Sequence, residues 1–464
     1  MNADEYRKAA EIRAVKLAER IYGAEPEISG GVRYYISSSG DDSADGLSPE
    51  SAWSTLAAVD GHEISPGSVV LFRRGDIWRG SFAARPGVTY SSYGTGDLPA
   101  LYGSPFDGAK DGCWKEVFPK VWRYSEKLRD DCGGIVFDGG RYHGYKRVVN
   151  WENGVPSDNV SREPFRGYFD LTEDLSFWHD LGREKIHDDA GGYVYLRSEL
   201  GDPAKRFGEI EFLPRVHGIS VKGGDVTIDG LRVMYCGAHG IAAGTVSGLT
   251  VRNSVIGWIG GGLQYYRDGR PVRFGNGIEI YGGCVGYTVE NCHVYQCYDA
   301  GITFQYSSGG SEPVYMDRVR IRDNLIEDCV YSVEYFLGRP DDPKTDRQMR
   351  DIVISGNVMR RAGYGWGIQR PDKTTPAHIK SWDHFNRLTG RFDISGNLFD
   401  LSRHMMLHIS AEREEWMPGL EGNTYIQSRG ADLGRIGAIP TSMAAYTDEI
   451  LQGTDFGKET FLYY

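Results

Sequence analysis

No stretch of this chain approaches the eighteen or so apolar residues that a helix needs to cross a bilayer, and charge interrupts every possible leader core in the opening MNADEYRKAAEIRAVKLAERIYG. Cysteine is scarce. Seven thiols, an odd number without a Cys-x-x-Cys pair, argue against a disulfide framework and against a zinc centre. A basic excess is missing too: 52 Lys and Arg face 64 Asp and Glu, a formal charge of -12, which works against a phosphate-backbone partner. These deficits lead us to expect a cytoplasmic protein that engages neither nucleic acid nor membrane. Glycine, by contrast, is abundant at 62 residues, lacks a Gly-X-Y period and accompanies 12% aromatics, so many tight turns are expected rather than collagen or linker.

The turns punctuate a repeat. A first short apolar segment recurs as His217-Gly218-Ile219, His239-Gly240-Ile241, Asn276-Gly277-Ile278, Ala300-Gly301-Ile302, Tyr331-Ser332-Val333, Trp366-Gly367-Ile368 and a degenerate Met405-Met406-Leu407. A second follows each, aligning Ile228, Val251, Val289, Ile321, Ile354, Ile394 and Leu420. Three residues on, the column reads Leu231, Ser254, Cys292, Asn324, Asn357, Asn397, Asn423. Consecutive asparagines at one repeat position predict a ladder in which each amide bonds the next coil at a buried corner. A later column, Cys236, Ile259, Cys297, Cys329, Ala362, Ser402, is mostly small, so its thiols are expected to be packing groups. Two short strands per repeat and turns of variable length predict an all-β solenoid, a parallel β-helix, rather than a propeller with four strands per blade. Weaker strands are expected at Tyr34–Ile36, Val69–Phe72, Val88–Tyr90, Gly134–Phe137 and Gly192–Leu196. Ala10, Ala14, Leu17, Ala18 and Ile21 lie at helical spacing, predicting a packing helix over residues 3–22.

YYISSSGDDSADGLSPESAWSTLAAV from Tyr34, with VVLFRRGDIWRGSF and the later NGIEIYGG, VENCHVYQCYDAGITFQ and ISGN stretches, resembles right-handed parallel β-helix proteins of the pectate-lyase-like superfamily. The resemblance implies an organisation of helix and cap over 1–31, right-handed β-helix over 32–430 with an irregular insertion at 108–190, and a tail over 431–464 packing on the helix. It implies a carbohydrate-active protein. Polygalacturonase-type Asn-Thr-Asp, Gly-His-Gly and Arg-Ile-Lys signatures are missing.

Side chains alternate along a strand, so with the repeat isoleucines inward, Ser220, Ala242, Glu279, Thr303, Glu334, Gln369 and His408 face a lengthwise groove. Glu279 and Glu334 stand two coils apart, with backbones roughly 9–10 Å from each other at a coil rise of about 4.8 Å. Glycosidases use two carboxyl groups, about 6.5–9.5 Å apart when they invert, which makes Glu279 and Glu334 the candidate catalytic pair and Asp299, ending the turn before Ala300, a third acid. His239, Asn276, Gln305, Gln369 and His408 are candidates to bind sugar hydroxyls, Tyr266 and Tyr281 to stack on sugar faces, and Arg273 to meet a uronate or sulfate. No spacing suggests a transition-metal site; Gly40–Gly46, with Asp41, Asp42 and Asp45, leaves calcium possible but reads better as an Asx-bonded turn. The expected activity is glycoside hydrolysis of an oligosaccharide or polysaccharide, with inversion and without a required cofactor. The alternatives are a polysaccharide lyase acting on uronates and a non-catalytic glycan-binding solenoid.

Overall fold

The computed structural model describes the chain except residues 1–2, 27, 29, 308, 372–374, 383–384, 429–432, 439–443, 447–458 and 464. Three ten-stranded sheets run the length of the molecule, almost wholly parallel, each strand paired with its counterpart in the coil before and the coil after. The first sheet carries Val226–Asp229, Val246–Arg252 and Cys284–Glu290, the second Arg232–Cys236, Val255–Ile259 and His293–Cys297, the third Ile219–Val221, Ile241–Ala243 and Ile278–Ile280. Each coil thus has three strands where the periodicity suggested two: the second apolar segment bends at its middle and serves two sheets.

The bend has a local cause. The residue before each ladder position is held at positive φ, filled by Gly230, Asn253, Asn291, Asp323 and Gly356 in successive coils, the residue types that tolerate this backbone best. Immediately after it the asparagine ladder forms. Asn357 Nδ2 donates to Asn397 Oδ1 (2.9 Å) and to Ile321 O (2.9 Å), while its own Oδ1 accepts from Asn324 N (3.0 Å) and Nδ2 (2.9 Å). Asn397 repeats the pattern onto Asn423 and Ile354. All four asparagines are buried, so the ladder satisfies amides that would otherwise be stranded at the corner.

Inside the coil one continuous core runs from Ile36 to Leu433, built of inward columns such as Ile219, Ile241, Ile278, Ile302 and Val333. Cys236, Cys292 and Cys297 sit wholly buried, and burial pushes the Cys236 and Cys292 thiols up to about 12, where a thiolate nucleophile is not formed. Helix Ala3–Tyr22 lays Ala10, Ala14, Leu17 and Ile21 across the outer face of the second sheet, on Val255, Leu325, Val358 and Leu398.

Gly134–Phe137 and Gly192–Leu196, read above as coil strands, instead belong to a separate excursion. Phe82–Ala84 pairs directly with Ile219–Val221, Thr89–Tyr93 with Val226–Asp229 and Ala100–Tyr102 with Arg232–Cys236, so the chain between Tyr102 and Ile219 leaves the coil and returns without disturbing it. The excursion forms a five-stranded, mostly antiparallel sheet and a three-stranded one around their own aromatic core of Trp114, Tyr124, Phe137, Phe177 and Phe212. Antiparallel pairing needs only local turns, which is why such strands alternate like coil strands in sequence yet stack elsewhere. Beyond residue 430, Gly434–Ala438 and Thr460–Tyr463 extend the third and second sheets.

The ladder should carry more stability than an ordinary polar contact. Asn357→Ala strands the Asn324 amides, the Ile321 carbonyl and one contact of Asn397, at about 1–3 kcal/mol for each unsatisfied buried group, whereas Ser254→Ala removes the acceptor for Leu231 N and a donor to Arg252 O. Denaturant unfolding should show the larger loss for Asn357→Ala; equal losses would mean that the ladder does not hold the corner.

Candidate functional site

The outward face of the third sheet carries one column of side chains. Ala242 pairs with Glu279, Ile278 with Ile302 so that Glu279 lies beside Thr303, Thr303 with Glu334, Glu334 with Lys380, and Lys380 with His408. Glu279 and Glu334 therefore share a face with one coil between them. Neither is an open surface acid: Glu279 is 8% exposed, Glu334 3% and Lys380 2%.

Lys380 replaces a residue expected there. Trp366–Gln369 forms a 3-10 turn outside the sheet, and the coil strand is Ala377–Ser381, with Ile379 inward between Val333 and Leu407. Gln369 therefore does not join the column. Its Oε1 accepts from Lys146 N (3.1 Å) and its Nε2 donates to Gly144 O (3.0 Å), tying the excursion to the coil. The Trp-Gly-Ile triplet matched the repeat because it keeps the Gly-Ile pair that Ala377-His378-Ile379 has lost; the apolar-polar alternation from Ile379 to Lys380 was the available signal.

Around Glu279 the turn before each strand builds a second ladder. His217 Nδ1 accepts from His239 N (3.2 Å), His239 Nδ1 from Asn276 N (3.0 Å), and Asn276 Oδ1 from Ala300 N (2.9 Å). With its oxygen so committed, Asn276 turns its Nδ2 to Glu279 Oε2 (2.6 Å), and His239 Nδ1 lies 2.8 Å from the same oxygen. Burial pushes the Glu279 carboxyl up, but His239 and Asn276 together hold it below the usual carboxylate range, against an opposing push from Asp299. His217, stacked on His239 with ring centroids 5.1 Å apart, is lowered to about 4 by burial and by the His239 charge. His239 and Asn276, expected to touch sugar, thus first of all position Glu279.

Asp299 lies close enough to act on Glu279 and is itself ion-paired with Arg370, a partner the sequence did not suggest. The rings and cations behind it are stacked: Tyr298 has Arg273 4.3 Å and Arg370 5.7 Å from its centroid. Arg273 is buried, its Nε donating to Gly261 O (2.8 Å) and Nη2 to Gly133 O (3.2 Å), so it braces backbone rather than reaching into the groove. Tyr266 lies away from the column, lining a separate cavity of about 240 Å³ beside the Asp131–Lys146 ion pair. Tyr281 and Gln305 bridge at the carboxyl edge of the third sheet; Tyr281 is 41% exposed with its hydroxyl 2.8 Å from Ser307 Oγ, and Gln305 is buried beside Phe336. At the far coils the Trp382 indole N–H donates to Glu334, the Lys380 ammonium lies 4.5 Å from the Trp382 ring and contacts His408.

Each carboxylate of the Asp41, Asp42 and Asp45 turn is engaged by neighbouring amides and hydroxyls, from Ser43, from Ser54 and Thr55, and from Leu47 and Ser51. Among the described residues no group of three or more His, Cys, Asp or Glu side chains is gathered as a metal site.

A family model described as "Right handed beta helix region" matches residues 216–366. No curated protein matches the chain. Among solved structures, that of XylC in complex with xylose is 12% identical, with a TM-score of 0.45, over 93% of this chain and 82% of that one. The GH136 lacto-N-biosidase from Eubacterium ramulus is 13% identical, TM-score 0.42, over 94% and 68%. Pectate lyase Pel9A is 14% identical, TM-score 0.40, over 94% and 75%.

Two titrations check the site. Because the folded Glu279 lies below its ordinary 4.5, its pairing stabilises the protein above that pH, and the gain is lost as pH falls through the folded value. Removing the partner in His239→Leu leaves burial dominant, so the carboxyl should titrate above 4.5; infrared difference spectra against Glu279→Gln report it, and an unmoved titration would exclude His239 as the cause. Buried His217, at about 4 against 6.5 unfolded, stays neutral while the unfolded chain takes a proton, so stability should decline as pH falls from 6.5 toward 4. His217→Gln should flatten that part of the melting-temperature profile.

Proposed function

Starting from a right-handed parallel β-helix with a carboxylate column on its third sheet, we propose that this protein is a glycoside hydrolase that cleaves an oligosaccharide or polysaccharide with inversion. The observation that carries this reading is the register that puts Glu279 and Glu334 on one face, two coils apart. At a coil spacing of about 4.8 Å their backbones lie roughly 9–10 Å apart, a span that suits a water molecule on one side of a sugar and an acid on the other.

The surroundings of Glu279 assign it the base, which leaves Glu334 as the acid. Glu279, held ionised by His239 and Asn276, takes a proton from water as the water oxygen bonds the anomeric carbon. Glu334 gives a proton to the departing glycosidic oxygen as the carbon–oxygen bond breaks. Thr303 separates them, and Asp299, paired with Arg370, opposes the ionisation of Glu279 and stands in reserve as an acid. The carbohydrate substrate is inferred from the sequence resemblance, and the groove requires no cofactor for this step. His408 and Gln305 are the polar residues expected to touch the sugar beyond the acids.

Lys380 supports a second reading. A lyase needs a base beside a uronate carboxylate, and Lys380 stands in the column next to Glu334. Its contact with His408 gives it a neighbour able to take up a proton.

Glu279→Gln and Glu334→Gln should each lower kcat by about 10²–10⁴-fold with the fold intact by circular dichroism. New reducing ends of inverted configuration, read by proton NMR, support hydrolysis. Products with ultraviolet absorbance from a new double bond, lost in Lys380→Met, support elimination instead, and unchanged rates in both glutamate variants remove the acid pair.

A further inference from the structure

The three strands that carry Glu334, Lys380 and His408 run out into three loops at the same edge of the sheet, and these loops enclose a cleft of about 550 Å³. Arg339 follows the first strand, Phe385 and Arg387 the second, Glu412, Arg413 and Trp416 the third. The chain as a whole is strongly acidic at -12, yet the charged lining of this cleft is three arginines to one glutamate. Their side chains reach solvent, at 60% for Arg339, 39% for Arg387 and 58% for Arg413. Each has a carboxylate partner: Arg339 pairs with Glu412, and Arg387 and Arg413 each direct one nitrogen to a carboxylate, at 3.2 Å from Asp346 and 3.4 Å from Glu415. A guanidinium has five N–H donors in a fixed fork, so such single-nitrogen pairs commit few of them. The floor is aromatic: Phe385 and Trp416 meet edge to face at 5.1 Å, with Arg339 5.0 Å from one ring and Arg413 5.1 Å from the other.

We propose that this cleft is a binding site for an oxyanion-bearing sugar residue, carboxylate or sulfate, of a glycan lying in the adjoining groove; the proposal rests on the groove being a glycan groove. Aromatic rings supply a face for the pyranose and the arginines a planar or tetrahedral oxyanion with paired donors. Glu334 and Arg339 are five residues apart on one extended strand and its exit, so the cleft lies on the order of 15 Å from the acid column, away from the reacting bond. It therefore selects which chain binds rather than what is broken. The arginines suggested by the sequence for this task are otherwise engaged: Arg273 is buried on backbone carbonyls and Arg270 pairs with Glu152.

Calorimetric titration of the whole protein with three matched trisaccharides, one ending in a glucuronate, one in a sulfated hexose and one uncharged, tests the site. A charged probe should bind on the order of tenfold more tightly than the uncharged one, and about 0.5 M NaCl should erode the preference. The double variant Arg387→Gln/Arg413→Gln should abolish it while leaving the uncharged probe's affinity in place. Whichever charged probe binds better identifies the oxyanion. Equal affinity for all three, a preference that survives in the double variant, or no binding of any probe would overturn the site. Because the readout is binding without turnover, failure of the acid pair in the glutamate variants would leave this result independent of the hydrolytic reading.

Discussion

The whole structure depends on coils stacking in register, each strand hydrogen-bonded to the equivalent strand of its neighbours. Parallel ladders of this kind leave corners where the backbone turns inside the protein, and every polar group there must find a partner. Two side-chain ladders meet that requirement. Asparagine amides bridge coil to coil between the first and second sheets, and His217, His239 and Asn276 do so where the chain enters the third. A slip of one residue would turn the isoleucine columns outward and the glutamates inward, so the ladders that hold register also hold the site.

The second ladder is where scaffold and chemistry meet. Asn276 can offer its amide nitrogen to Glu279 only because its oxygen is already taken by Ala300 N, and His239 presents Nδ1 to the same carboxylate from the coil before. A buried acid would ordinarily be driven toward its neutral form. Here donors fixed by the backbone outweigh burial, which makes the ionised state a property of the coil rather than of a mobile loop. Variation is confined to the turns between strands: one long excursion leaves and rejoins between adjacent coils, and the exit loops of three successive third-sheet strands shape an arginine-lined cleft in an acidic protein.

Much of this was legible in the residues. Ile228 to Leu420 and Asn324 to Asn423 announce a repeat, and alternation from Ile278 and Val333 puts Glu279 and Glu334 outward without coordinates. The misreadings share one cause, that a local pattern does not say which neighbour a segment will meet. Trp366-Gly367-Ile368 has the right triplet and spacing, but Trp366 packs against Trp258 and Tyr298, covering the coil from outside. Gly134–Phe137 and Gly192–Leu196 have strand chemistry but find antiparallel partners. Arg370 at Asp299 and Trp382 at Glu334 lie dozens of residues from the acids they meet, and nothing in the intervening turns encodes those meetings.

By itself, then, the sequence determined the solenoid, its corner ladder and the facing of its two glutamates, because periodic burial and strand alternation are written residue by residue. Only the tertiary structure decided that Lys380 rather than Gln369 completes the column, that His239 and Asn276 set the charge of Glu279, and that arginines from three loops share one cleft. Those outcomes depend on turn lengths and on which coil lies next to which, and contacts between coils form across gaps that no local pattern spans.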